Sequence, residues 1–204
     1  QIRRGVYQRP RRSAGRPFAA GLEDLSLQVA KGFDPERLSG AALLSKLAGM
    51  SEKISITATI NGAEHTATVE PRRSLVDFLR HDLGLVGTQV GCEHGVWGAC
   101  TVMLNGRTVR ACLLFAAQAD GAEVLTIEGI GTEEALHPLQ RSFQQYHALQ
   151  CGFCTPGMIL AALELLRDNP DPTEEEIRVG ISGNLWMCTG YVNIVRAVSA
   201  AAQT

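Results

Sequence analysis

Between residues 54 and 60 apolar and polar positions alternate, with Ile54, Ile56, Ala58 and Ile60 on one side and Ser55, Thr57 and Thr59 on the other. A period of two marks a half-buried strand, and Asn61-Gly62 before the return from His65 to Glu70 predicts a hairpin. Ser74 then precedes Leu75, Phe78, Leu79 and Leu83, the spacing of a short capped helix. A second hairpin is expected from Thr101 to Leu104 and Thr108 to Ala111 about Asn105-Gly106, with a last strand over Val124 to Ile127. Past the glycine-rich stretch Glu128 to Thr132 the period lengthens. Helices are predicted near His137 to Leu149, through Met158, from Thr173 and from Tyr191 to Ala201, with a break at Asn169-Pro170-Asp171-Pro172. Four helices after a β-rich half suggest a small bundle.

Residues 1–49 read differently. They carry nine basic and four acidic residues against ten and seventeen in the remainder, with Arg3, Arg4, Arg9, Arg11, Arg12 and Arg16 crowded at the start. A flexible basic extension is the plainest reading. An Arg-rich transit peptide, a twin-arginine signal at Arg11-Arg12 and a fusion ahead of an original start at Met50 are alternatives. Asp34-Pro35-Glu36 opening onto Leu38, Ala41, Ala42, Leu44 and Leu47 has the pattern of a capped amphipathic helix.

Composition narrows the class. A chain of 204 residues that is 45% hydrophobic has enough apolar surface for a real core. The net charge of -2 gives no reason to expect nucleic acid, and no run approaches the ~18 apolar residues of a membrane span. A soluble, cytoplasmic protein is expected, its six cysteines reduced rather than paired in a disulfide framework.

The cysteines fall into two sets. Cys92 and Cys100 lie in the glycine-rich run GTQVGCEHGVWGAC, with Cys112 after the second hairpin. Gly95 and Gly98 belong to a tight loop whose backbone N–H groups can point inward at something anionic. Cys151 and Cys154 are three residues apart, with Thr155 as an N-cap candidate and Pro156 at the first helical position, and Cys188 follows. That arrangement sets thiols at the positive end of an apolar helix, which suits an anionic metal centre. A lone CxxC is equally a zinc or a redox motif, and any one buried cysteine is most simply a small apolar residue. Zinc is the weaker metal reading, because residues 92, 100 and 112 lack paired knuckles.

The runs VGCEHGVWGACTVMLNG with Cys112, QCGFCTPGM and SGNLWMCTGY closely resemble the small iron-sulfur subunit of the molybdenum hydroxylases. This is the xanthine oxidase family, and within it the aerobic carbon monoxide dehydrogenase type. The resemblance covers about residues 53 to 200. It implies an α+β chain: a plant-ferredoxin-like β-grasp domain over 50–131, then a four-helix domain over 132–204. It also implies two [2Fe-2S] clusters, on Cys92, Cys100 and Cys112 and on Cys151, Cys154 and Cys188. Gly95 and Gly98 would border the first cluster, and Gln150 would lie beside the pterin. The implied role is electron transfer within an oxidoreductase, from a molybdopterin-binding large subunit to an FAD-binding medium subunit. The substrate site would lie on another chain.

Two residues depart from that pattern, which has cysteine where this chain has Trp97 and Trp186, its only tryptophans. An indole N–H donates and has no lone pair for iron, so each set is one thiolate short. Met187 also departs from the family's usual arginine. A cluster-deficient scaffold subunit is therefore the alternative function. His94, between the cysteines, is an exposed loop residue or a substitute ligand. Glu174-Glu175-Glu176 reads as a solvated helix start.

Overall fold

The computed structural model describes residues 52–203. The basic extension, the helix expected after Asp34 and Met50 lie outside them. The described residues all fall within one compact unit.

Strand β1 (Ile54–Ile60) pairs antiparallel with β2 (Ala63–Val69), Ile54 opposite Val69 and Ile60 opposite Ala63. Asn61 and Gly62 both take positive φ, 52° and 81°, as a two-residue hairpin turn requires. Ser74 Oγ accepts from Asp77 N–H at 3.1 Å and starts α1 (Leu75–Asp77). The helix expected to run to Leu83 widens after one turn into a π-helical segment, Phe78–Asp82, closed by Leu83 N–H on Phe78 O at 3.1 Å. Phe78 and Leu79 are both buried on it.

Strands β3 (Thr101–Leu104) and β4 (Arg107–Arg110) make the second hairpin, and β5 (Glu123–Leu125) lies between the two hairpins in the order β2-β1-β5-β3-β4. β5 runs parallel to β1 and antiparallel to β3. It stops two residues short of Ile127 because Thr126 leaves the ladder for side chains. Its N–H donates to Asn61 Oδ1 at 2.8 Å, and its hydroxyl donates to Glu128 Oε2 at 2.5 Å. A 3-10 turn over Ile127–Gly129 follows.

Four longer helices complete the described chain. In α2 (Pro138–Gln145) His137 is the N-cap, its Nδ1 accepting from Leu139 N–H at 3.2 Å. The helix ends before the expected Leu149, because His147 turns to φ 50° and Ala148 N–H returns to Phe143 O at 2.9 Å. Helix α3 (Thr155–Asp168) takes Cys154, not Thr155, as its N-cap. Gly152, at φ 80°, lets its carbonyl accept from Thr155 N–H at 3.2 Å, so the turn starts one residue earlier than the Thr-Pro pair implies. Helix α4 (Glu174–Gly180) opens on a Thr173/Glu176 capping box, and α5 (Val192–Ala201) follows Tyr191, itself left-handed at φ 66°.

Two apolar cores result. Ile56, Ile60, Phe78, Leu79, Val102 and Val124 fill the sheet side, and Leu139, Phe143, Met158, Ile177, Ile194 and Val198 fill the helical side. At the rim Glu164 accepts from Thr108 N–H at 3.2 Å and from Arg107 at 3.3 Å, and Arg107 reaches Asp168 at 2.6 Å. Arg107 is exposed, so water screens these pairs and they contribute little. The tighter joint is backbone on backbone. A Cβ at Gly157 would lie 2.5 Å from Gly98 O, and one at Gly98 would lie 2.7 Å from Gly183 O.

Helix propensity alone predicts that Gly157→Ala stabilises α3 by about 1 kcal/mol. The close approach of Gly98 reverses the sign, and a net loss of about 1 to 3 kcal/mol is expected, read as a lowered thermal midpoint. A raised midpoint would show that the joint gives way. Burial, and then the Arg141 charge, push the His137 pKa below its ordinary value, so the folded state prefers the neutral ring. Its contribution is complete above the unfolded value near about 6.5 and is lost as pH falls through the folded one. Thermal scans should show a larger acid loss in the native chain than in His137→Asn, which keeps a cap acceptor without titrating there; parallel curves would refute it.

Candidate metal centres

The first sulfur set is built by a loop and the end of a hairpin. Glu93, Gly95 and Gly98 at φ 55°, 82° and 76° curl the loop until Trp97 N–H donates to Cys92 Sγ at 3.5 Å. That amide is the largest influence on Cys92 and lowers its pKa to about 7 against the opposing effect of burial, with the backbone and ring of His94 assisting. Cys112, in the 3-10 turn after β4, is raised to about 11, chiefly by burial and then by the Cys100 thiol beside it. The Gly95 N–H and the Cys92 charge act on it as well. The structure therefore brings Cys92, Cys100 and Cys112 together, with Gly95 and Gly98 in the same loop. His94 is exposed, and its Nδ1–H donates to Cys92 O.

The second set gathers at the start of α3. Cys151 and Cys188 are exposed with their sulfurs 3.8 Å apart, while Cys154 is buried at the helix N-cap. Burial first, then the Cys188 and Cys151 charges, raise Cys154 to about 11. The Phe153 N–H and then Cys188 hold Cys151 below the ordinary thiol value. Gln150, next to Cys151, is exposed. Each set thus joins a thiol whose pKa is lowered, Cys92 or Cys151, to one whose pKa is raised, Cys112 or Cys154.

Trp97 and Trp186 sit in these same two loops, and their rings touch edge to face with centroids 5.6 Å apart and planes at 70°. Neither supplies an electron pair to iron, so the residues present fit three corners of a four-thiolate [2Fe-2S] site at each set. Among the described residues, the buried side-chain polar atoms without a hydrogen-bond partner are Thr88 Oγ1, Thr155 Oγ1 and Trp186 Nε1. The last two belong to the second set's segments, where a sulfur anion would offer an acceptor. Among the described residues no three of His, Cys, Asp and Glu are arranged to hold a single metal ion. A two-iron, two-sulfide unit reaches farther than one ion does.

The residues that join the two sets were not singled out by the sequence reading. Asn184, 2% exposed, donates from Nδ2 to Gly98 O at 2.9 Å and to Thr101 Oγ1 at 3.2 Å. Arg110 donates to Gly183 O at 2.5 Å and Thr101 Oγ1 at 2.7 Å, and Tyr191 Oη donates to Asn184 O at 3.1 Å. The available signal was a polar Asn between Gly183 and Leu185, and a glycine inside the apolar helix α3.

Residues 58–126 match the model of a 2Fe-2S iron-sulfur cluster binding domain, and residues 126–199 that of a [2Fe-2S] binding domain. The nicotine 6-hydroxylase small subunit of Paenarthrobacter nicotinovorans is 50% identical over 148 residues, 72% of this chain and 89% of that one. The nicotinate dehydrogenase small FeS subunit of Eubacterium barkeri is 47% identical over 151 residues, 74% of this chain and 96% of the relative. Among solved structures, a chain of quinoline 2-oxidoreductase from Pseudomonas putida 86 aligns at a TM-score of 0.73 and 48% identity, covering 75% of this chain and 96% of that one.

The thiol asymmetry is measurable in the iron-free chain by pH-dependent alkylation and mass spectrometry. The thiolate is the reactive form, so Cys92 modification should level off above a pH of about 7, while that of Cys154 keeps rising toward about 11. Six superimposable pH profiles would refute the assigned environments.

Proposed function

The chain belongs to the family of small iron-sulfur subunits of molybdenum hydroxylase oxidoreductases, and on that premise we propose that it is the electron-carrying subunit of such a multi-subunit complex. Its place is between a molybdopterin-binding large subunit and an FAD-binding medium subunit. The observation that carries the reading is the gathering of six unpaired thiols into two sets within one compact unit.

Cys92, Cys100 and Cys112 would hold one [2Fe-2S] cluster and Cys151, Cys154 and Cys188 the other. Such a cluster supplies reversible one-electron uptake. The chain contributes the low-pKa thiols Cys92 and Cys151, the Trp97 and Gly95 N–H groups directed at Cys92 and Cys112, and a fixed junction between the sets. Gln150, beside the exposed Cys151, is assigned to the pterin-bearing partner. We read the five-stranded sheet as a β-grasp domain over 50–131 and the four helices as a second domain over 132–204. Six free thiols suit a reducing cytoplasm, and no helix among the described residues is long and apolar enough to cross a membrane. Val96, Trp97, Leu185 and Met187, the last 94% exposed, form an apolar rim that a partner subunit would cover.

A second reading is favoured by Trp97 and Trp186. With one thiolate missing from each set, the chain would serve as a cluster-deficient scaffold that joins two larger subunits without carrying electrons.

Iron and acid-labile sulfide analysis of the complex separates the two. Two full clusters give about four irons per chain. The native chain is expected to retain fewer, and Trp97→Cys with Trp186→Cys to restore about four with two paramagnetic signals on reduction. Partial occupancy with a reducible signal supports electron transfer. A colourless, iron-free chain still bound to its partners establishes the scaffold. Failure of the double reversion to gain iron would overturn the ligand assignment itself.

A further inference from the structure

The two tryptophans are far apart in sequence and belong to different cysteine sets, yet they meet. Trp186 also packs on Phe153, between Cys151 and Cys154, with centroids 5.3 Å apart and planes at 58°. The backbone follows the rings, since Leu185 N–H donates to Trp97 O at 2.9 Å and Trp186 N–H donates to Tyr191 Oη at 2.6 Å. Gly91 makes room on the other side. A Cβ there would lie 3.0 Å from Trp97 Cε3 and 3.6 Å from Phe153 Cε1. Three rings thus run continuously from the Cys92 loop through the Cys188 loop to the Cys151 turn.

We propose that Trp97 and Trp186 are a positioning pair whose edge contact, extended by Phe153, holds the two cysteine loops against each other without iron. In a site made of loops, a bound metal cross-links its ligands, and the binding free energy becomes folding free energy. A loop that loses a ligand loses part of that cross-link. Aromatic edge contacts are directional and add to burial, so a ring from each loop replaces a metal-dependent link with a metal-independent one. The backbone already sets residues 97 and 185 side by side, and the rings at positions 97 and 186 use that approach to pack on each other. The contact persists although the Trp186 indole N–H is buried without an acceptor and Trp97 remains 43% exposed. The inference concerns loop geometry, and it stands whether or not electrons pass through the chain.

The test uses the full chain before and after iron is stripped by a chelator under reducing conditions. Because the chain has only these two tryptophans, a coupled-indole couplet in circular dichroism reports on the pair alone. The native chain should keep the couplet after stripping. Trp97→Ala and Trp186→Ala should each abolish the couplet and speed alkylation of the buried Cys154 several-fold. Their combination should add little to either single change. Phe at either position should restore thiol protection without the couplet, which separates a ring contact from a general loss of fold. A couplet lost on stripping the native chain, or fully additive Ala effects, would overturn the proposal. Iron content, measured on the same samples, judges the electron-carrying reading separately. A chain that retains iron yet loses its couplet on stripping upholds that reading and refutes this one.

Discussion

Everything in the described body hangs on one close approach, where the backbone of the Cys92 loop meets α3 and the segment before Trp186. Gly98 and Gly157 have no side chain there because Gly98 O would stand 2.5 Å from a Cβ on Gly157, and Gly183 O 2.7 Å from one on Gly98. The polar groups enclosed by this contact have to be matched, since an unpaired buried group costs roughly 1 to 3 kcal/mol. Asn184 matches them from one side and Arg110 from the other, with Thr101 Oγ1 taking a bond from each. The junction thereby fixes the separation of two thiol sets that lie in otherwise different cores. Electron transfer between two sites depends on such a spacing, and so does a scaffold that presents one rigid face to two partners.

The thiols are prepared in opposite ways. Cys92 is eased toward thiolate by a backbone N–H, while Cys112 and Cys154 are pushed up by burial. Inner thiols of this kind ionise when a cation repays the desolvation, which couples ligand deprotonation to metal arrival. The indoles of Trp97 and Trp186 lie one in each set's loop. Their mutual contact makes them one feature of the molecule rather than two.

Much of this was legible in the sequence. The alternation of Ile54 to Ile60 and the Asn-Gly pairs fixed both hairpins, because side-chain period and turn chemistry are local properties. Only the Cys151/Cys154 pair is local in the same sense; Cys112 and Cys188 join their sets through the family resemblance. Element ends were less legible. The Ser74 helix widens at Phe78, α2 stops at Gln145 where His147 turns left-handed, and α3 starts from Cys154 through Gly152. Those ends depend on where burial and hydrogen bonds fall, not on propensity. The partners of Asn184 and Gly157, and the meeting of Trp97 with Trp186, were not legible for a stronger reason. They are contacts between segments remote in sequence, and no periodicity encodes them.

The two cysteine loops are one closed unit, and amide hydrogen exchange at Leu185 tests this directly. Its side chain is 48% exposed, but its N–H is bound to Trp97 O across the junction. A closed junction gives that amide a protection comparable to Val102 in the sheet core, lost only when the body unfolds globally. Exchange at Leu185 near the free-peptide rate, with Val102 still protected, would mean that the loops open independently and that the junction does not set their spacing.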